Sequence, residues 1–388
     1  MKRHINLFIF VVFSALLVFA LAACGGNDNS NTNKNSGGKT EDTPPVVVPE
    51  EAPVWWKESN AVFANIPYGT DPEQTLTITF EKPLNELANK DKFSSVVILS
   101  GGGFEADTAE VKKLIADAKQ ELTKQHFAVI EINFRSKKLS NMLADVHTAI
   151  SFAMGTGGTA NEKKYTKNFK IDTARQGILG YSVGGYLALQ YVSSTPAPNI
   201  PIKLLMVDSA FCDVSSEEFY TAFPAEAEGS TFDAASELTA AKKAQAVYNR
   251  YFLAATLAGI AVDEGAEQSI LNYYNNGGDA LPPVIGDFLG DYKNANALSG
   301  VSIDPSSPVR DANIGYIICH GTYDTVFPVA PMRTLSGKLF NSGEQSFVEF
   351  LYSGHSLNGE YAPTGNDQES TDKAADLLGN LVTAKKLI

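Results

Sequence analysis

The chain has 388 residues, 44% of them hydrophobic and 19% charged, enough for one large domain or two smaller ones around a sizeable buried core. Its formal charge of −13 excludes nucleic acid as a natural partner.

The first residues form a targeting segment. Lys2 and Arg3 give a basic start, Ile5 to Ala20 is almost wholly apolar, and small residues follow as far as Ala23. The run is nearly long enough to stay in a membrane as a span. It ends, however, in Leu21-Ala22-Ala23-Cys24, followed by Gly25-Gly26 and polar residues, and this resembles the lipobox of bacterial lipoproteins. The resemblance implies that residues 1–23 are removed and that Cys24 carries lipid. The protein would then be anchored to a membrane of the bacterial envelope, outside the cytoplasm. Residues 24–53 are rich in Asn, Ser, Gly, Thr and Pro with no apolar period, the composition of a disordered tether. Two further cysteines, Cys212 and Cys319, are compatible with an extracytoplasmic disulfide or with two buried thiols.

The folded part, 54–388, opens at Trp55-Trp56, which reads as a packing anchor. Gln74 to Phe80 alternates at period two, a half-buried strand. Ser95 to Leu99 is continuously apolar, a strand buried on both faces, and it runs into Ser100-Gly101-Gly102-Gly103-Phe104. Three glycines there make a plain turn or let backbone N–H groups converge on an anion. A helix over Ala109–Leu122, a strand over Phe127–Arg135 and a helix over Leu139–Ala153 come next. A polar loop over Gly155–Thr173 precedes the apolar run that ends at Leu179. Further strands are expected at Lys203–Asp208, Ile314–Cys319 and Ser346–Leu351, with a closing helix over Ala374–Leu387. Strands alternating with helices predict a mostly parallel central sheet flanked by helices. From about Asp213 to Arg310 the rhythm breaks. That stretch has helical patterning, clearest over Ala235–Leu257, and predicts a helical cap inserted above the sheet.

The chemistry centres on Gly180-Tyr181-Ser182-Val183-Gly184-Gly185. A short apolar strand enters it and Tyr186 to Val192 leaves it at helical spacing, the context of a nucleophile elbow. A serine hydroxyl needs a base, and the base needs an orienting carboxylate. His126 closes a helix and reads as a surface residue, while His147 sits mid-helix and reads as structural. His355 follows the last strand in a polar loop, at the edge where open parallel sheets place their sites. His320 also follows a strand and reads as a brace for the turn that carries Asp324. The acid is Asp324, with Asp208 and Asp213 after the preceding strand as alternatives.

The order Ser182, Asp324, His355 is the one expected of an α/β-hydrolase. Gly101-Gly102-Gly103-Phe104, Asn133-Phe134-Arg135, Asp145 with Ala149, the elbow, His320-Gly321 with Asp324 and Pro328, and Gly354-His355 form an ordered set. With Tyr68-Gly69 and Gln74-Thr75-Leu76 ahead of it, this set resembles the bacterial α/β-hydrolase-fold serine esterases that include acetyl-esterase-like and feruloyl-esterase-like lipoproteins. The resemblance covers roughly Trp55 to the C-terminus. It implies Ser182 as nucleophile, Asp324 as acid, His355 as base, and backbone N–H groups of Gly102, Gly103 and Val183 as the oxyanion hole. Two departures stand out. Ser100 occupies the first position of the family's His-Gly-Gly-Gly, and the insertion after Asp213 is long.

The expected function is a serine carboxylic-ester hydrolase working through an acyl-enzyme on a small-molecule or saccharide ester. The alternatives are a serine peptidase of the prolyl-peptidase type and a surface binding protein on a hydrolase scaffold. No cofactor is expected. No Cys/His cluster has metal-ligand spacing, and the glycine-rich loops lack the lysine of a phosphate loop.

Overall fold

Runs of apolar residues pair into one eight-stranded sheet in the computed structural model, which describes residues 51–87, 92–101, 109–135, 138–193, 200–303, 314–339, 347–363 and 368–384. Residues 1–50, which include the expected leader, Cys24 and most of the expected tether, lie outside the described residues, as do Gly102, Gly103 and the last part of the insertion. In chain order the elements are β1 (Val62–Pro67), β2 (Thr75–Thr79), β3 (Phe93–Leu99), α1 (Ala109–Lys124), β4 (Ala128–Ile132), α2 (Leu139–Ala153), α3 (Ala160–Thr166), β5 (Ile171–Tyr181), α4 (Val183–Ser193) and β6 (Leu204–Asp208). The insertion then contributes α5 (Glu217–Thr221), α6 (Ala234–Glu237), α7 (Ala240–Ala258), α8 (Ala266–Asn275), α9 (Pro283–Gly290) and α10 (Tyr292–Val301). The chain closes with β7 (Gly315–Gly321), α11 (Val329–Leu339), β8 (Phe347–Phe350) and α12 (Gln368–Ala384).

Strand order is β1-β2-β4-β3-β5-β6-β7-β8. The β1–β2 and β2–β4 pairs are antiparallel and every other pair is parallel, so β2 alone runs against the rest. The continuous apolar runs are explained by two cores, one on each face. Val97 and Leu99 of β3, Ile130 and Ile132 of β4 and Leu205 and Val207 of β6 point into one. Their neighbours Val96, Ile98, Val129, Leu204 and Met206 point into the other. Alternation at period two thus fills both faces, as parallel strands under helices require.

Three local expectations need correction. The stretch read as a polar loop over Gly155–Thr173 holds α3, started by a capping box in which Thr159 Oγ1 accepts from the Glu162 N–H and Glu162 accepts from the Thr159 N–H. It also holds the start of β5. The helix expected over Ala235–Leu257 is two helices, because Thr239 caps α7 through its side chain and ends the continuity with α6. Strand β1 was not anticipated. Its pairing with β2 shifts register between Phe63 and Ile66, and Asn65 there has a φ of 53°, so the alternation that would announce a strand is broken.

The Trp55–Trp56 pair does anchor the first core. Trp56 lies 5.5 Å from Phe63 and 5.3 Å from Phe169 between ring centroids. A buried polar knot ties the front of the sheet to α2. Asp145 accepts from the Arg135 side chain at 2.6 and 2.9 Å, from the Arg135 backbone at 2.9 Å and from Gln74 Nε2 at 2.7 Å. Burial opposes the charge on Asp145, but these donors hold its carboxyl below the usual carboxylate range. Gln74, Arg135 and Asp145, separate fragments in the sequence, are therefore one structural unit.

Helix α4 crosses the end of β3 so closely that a Cβ built on Gly184 would lie 2.1 Å from the Leu99 carbonyl oxygen. Backbone cannot swing aside as a side chain can. Gly184→Ala is expected to destabilise the fold by about 3 kcal/mol, the upper range for overpacking. Denaturant midpoints at constant m-value check this, and a midpoint within experimental error of the parent would mean that helix and strand are free to separate there.

Candidate active site

Ser182 follows the last residue of β5 and precedes α4, with a φ of 54° that a side-chain-bearing residue rarely adopts. The turn is held from both sides. The Ser182 N–H donates to the Asp208 carbonyl at 2.8 Å, and the Ser182 carbonyl accepts from the Tyr186 N–H at 3.1 Å. A left-handed residue between a strand and a helix throws its side chain up at the C-terminal edge of the sheet. The neighbouring strands deliver the other groups to the same edge: β6 ends at Asp208, Asp324 follows β7, and His355 follows β8.

His355 Nε2 lies 3.1 Å from Ser182 Oγ, and His355 Nδ1 lies 2.8 Å from Asp324 Oδ2. Because a carboxylate oxygen only accepts, Nδ1 carries the ring proton and Nε2 is left to accept from the serine hydroxyl. The ring stands between Tyr181 and Phe327, at centroid distances of 5.4 and 5.5 Å, and the Tyr181 hydroxyl donates to the His355 carbonyl at 3.1 Å.

Asp324 is 3% exposed and its carboxylate is fully engaged. Oδ1 accepts from the N–H groups of Val326 at 2.8 Å and Phe327 at 2.9 Å, and Oδ2 faces His355 and, at 3.2 Å, His320 Nε2. His320 Nε2 also lies 3.2 Å from the Phe327 carbonyl, so its proton sits on Nε2, shared between two acceptors. His320 thus braces the turn, as its position in the sequence suggests. Burial works against the charge on Asp324, yet the two imidazoles hold the carboxyl well below its ordinary range. Burial likewise opposes a charged His355, but Asp324, backed by Asp208 and Glu360, raises the ring above the usual histidine value.

Among the described residues, neither alternative acid hydrogen-bonds the His355 ring. Asp208 is buried and its Oδ1 accepts from Ser209 Oγ at 2.9 Å. Burial pushes it up to about 7, with Ser209 and His355 opposing and Asp324 assisting. Asp213 turns back on its own loop and accepts from the N–H and hydroxyl of Ser215. His126 is exposed beside Glu81, and His147 packs against Tyr191 at 4.4 Å between centroids, with burial lowering its pKa. Cys212 and Cys319 are both buried thiols and no disulfide joins them.

Of the three backbone donors expected around an oxyanion, Val183 is the first residue of α4, where a helix leaves N–H groups without intrahelical partners. Gly102 and Gly103 lie outside the described residues. Gly101, just before them, packs on the elbow, where a Cβ would come within 2.8 Å of Ser182 Cβ. Among the described residues no three His, Cys, Asp or Glu side chains are grouped to hold a metal ion. A cavity of about 290 Å³ lies beside the Asp324 loop, between Ala222–Ala225 and Pro328–Arg333, and neither Ser182 nor His355 lines it.

One residue near the site was not anticipated. Arg250 of α7 is 1% exposed and donates to five backbone carbonyls, among them those of Thr325 and Val326 beside Asp324. Helical spacing does put it on the apolar face of α7 with Ala244, Val247, Ala254 and Leu257, and a cation on such a face is the signal available.

The family model BD-FAE matches residues 84–204. Solved structures with a similar chain path include a bifunctional GH43-CE protein from Bacteroides eggerthii, 18% identical with a TM-score of 0.48. That match covers 84% of this chain, which spans only 36% of the bifunctional one. Esterase B from Lactobacillus Rhamnosis is 15% identical over 85% of this chain and 88% of its own, with a TM-score of 0.46. A truncated carbohydrate esterase from gut microbiota is 17% identical over 83% and 97%, also at 0.46. No curated protein matches the chain. The elbow after β5 and the single reversed strand β2 give the sheet the α/β-hydrolase architecture, and residues 84–204 within it are similar to the BD-FAE family.

Proposed function

We propose that the protein hydrolyses carboxylic esters of small molecules or saccharides by two-step acyl transfer. Ser182 Oγ attacks the ester carbonyl while His355 Nε2 takes its proton, and Asp324 keeps the imidazole in the right tautomer and steadies its positive form. The backbone N–H of Val183, with those of Gly102 and Gly103, receives the oxyanion, each such donor contributing about 3 kcal/mol. The protonated His355 then gives its proton to the departing alcohol. In the second step the neutral ring activates water, which releases the acid and restores Ser182. The observation that carries this reading is the unbroken chain from Ser182 Oγ to His355 Nε2 at 3.1 Å and from Nδ1 to Asp324 Oδ2 at 2.8 Å.

In the whole protein, residues 1–23 act as a cleaved lipoprotein leader, lipid on Cys24 anchors the chain outside the cytoplasm, and residues 24–53 are the tether. The hydrolase occupies 54–388, with residues 213–310 forming its cap. This placement is supported by the Leu21-Ala22-Ala23-Cys24 sequence.

Nitrophenyl esters from acetyl to dodecanoyl, offered to protein starting at Gly25, test the activity. Turnover of the short chains is the expected result, and its decline with length sizes the acyl pocket. Folded protein that cleaves none of them, but does cleave aminoacyl nitroanilides, would replace the ester reading with a peptidase one.

A further inference from the structure

Among the described residues Arg250 has no carboxylate within its hydrogen-bonding reach, yet its guanidinium is buried. Such an arrangement is costly unless the charge is compensated. Three of its hydrogen bonds, to the carbonyls of Phe219, Tyr220 and Ala222 at 3.0 to 3.2 Å, stay within the insertion. The face of Phe223 covers the group at 4.8 Å. The other two leave the insertion: Nη2 donates to the Thr325 carbonyl at 2.9 Å and Nε to the Val326 carbonyl at 2.7 Å.

Those two carbonyls belong to particular peptide groups. The Thr325 carbonyl shares its peptide with the Val326 N–H, and the Val326 carbonyl shares its peptide with the Phe327 N–H. These are the two N–H groups that donate to Asp324 Oδ1. A cation on the oxygen side of a peptide strengthens the donor on its nitrogen side, because hydrogen bonds in series polarise one another. The planar fork of arginine spans two adjacent carbonyls, which a lysine ammonium does not. We infer that Arg250 is a positioning residue for the active site, by which α7 of the insertion fixes and polarises the two peptide groups that clamp Asp324 Oδ1, leaving Oδ2 aligned on His355.

This rests on the acyl-transfer reading of Ser182, His355 and Asp324, and it extends that reading. Orientation of the base becomes a property of the insertion as well as of the sheet. The groups that face Asp324 are His355, His320, Asp208, Arg250, Glu360, Tyr181 and Tyr361, and those that face His355 are Asp324, Asp208, Glu360 and Tyr181. Arg250 is the one fixed cation among them, so its removal lets His355 hold a proton more firmly.

The test compares Arg250→Met and Arg250→Lys with the parent, as full chains in mild detergent, with rates per folded molecule. For Arg250→Met, kcat on nitrophenyl acetate is expected to fall roughly 30-fold with KM within about twofold, the pattern of lost orientation rather than lost binding. The acid limb of kcat/KM should move to higher pH by about one unit, the size of one partly screened charge beside Asp324, the partner of the ring. Arg250→Lys keeps the charge but not the fork, so kcat should fall about tenfold with the acid limb unmoved. Parental kcat in either variant, or an acid limb in Arg250→Met that stays or moves down, overturns the proposal. If Arg250→Met does not fold, Arg250→Lys decides alone.

A second readout needs no substrate. The proton of His355 Nδ1, shared with Asp324, should resonate at low field in the parent, and move upfield and broaden in the variants. A parent that shows the signal but cleaves no ester refutes the acyl-transfer reading and leaves the Arg250 arrangement to stand or fall on the variants' spectra. Unchanged spectra overturn it.

Discussion

Ser182→Ala is expected to lower kcat/KM on a short-chain nitrophenyl ester by roughly 10⁴- to 10⁶-fold, because in the proposed mechanism the covalent route disappears and only oxyanion stabilisation and binding persist. Stability should hardly change. Alanine keeps the Cβ, and so keeps the cost of a left-handed residue at φ 54° while losing one part-buried hydrogen bond to His355. Ser182→Gly separates strain from chemistry. Glycine adopts this φ freely, which relieves about 1 to 2 kcal/mol, offset by about 0.5 to 1 kcal/mol of extra freedom in the unfolded chain. The glycine variant should therefore be as inactive as the alanine one but slightly more stable than it. A glycine variant that is less stable than Ser182→Ala would mean the elbow carries no strain to relieve. Activity that survives in both variants would remove Ser182 from the reaction.

The legible parts of the molecule were those set by local pattern. Helix α2 begins and ends where its apolar spacing puts it, and β3 is apolar on consecutive residues because both its faces are covered. Ser182 and His355, which lie 3.1 Å apart, were also readable as neighbours, since each lies at a strand end marked by glycine within a few residues. What escaped depended on partners distant in the chain or on geometry that breaks a period. Strand β1 hides behind the register shift at Asn65, and the break between α6 and α7 rests on one threonine cap in an otherwise helical run. Which of Asp324, Asp208 and Asp213 lies against His355 Nδ1 also needed coordinates, because all three lie at or after strand ends on one edge. Arg250 lies 75 residues from one of its carbonyl acceptors, a separation that no window of sequence spans.

Asp324→Asn should reduce kcat by roughly 10⁴-fold, while Asp208→Asn reduces it less than about tenfold. The difference follows from what each carboxyl touches. Asp324 Oδ1 receives two N–H donors from Val326 and Phe327, so the oxygen of an asparagine would take that place and turn its NH₂ toward His355. An NH₂ cannot accept the Nδ1 proton, and the ring would answer by moving its proton to Nε2. There it could no longer accept from Ser182. Asp208 is different: a carboxyl pushed up to about 7 is largely neutral on the acid side of neutrality, and an amide resembles it there. The asparagine at 208 shows itself in the pH profile instead. Ionised Asp208 raises His355, so removing that charge should move the acid limb of kcat/KM to lower pH. Profiles from pH 5 to 9 on the two variants separate the roles. If Asp208→Asn loses as much as Asp324→Asn, the acid that orients His355 during turnover is not the one that holds it at rest.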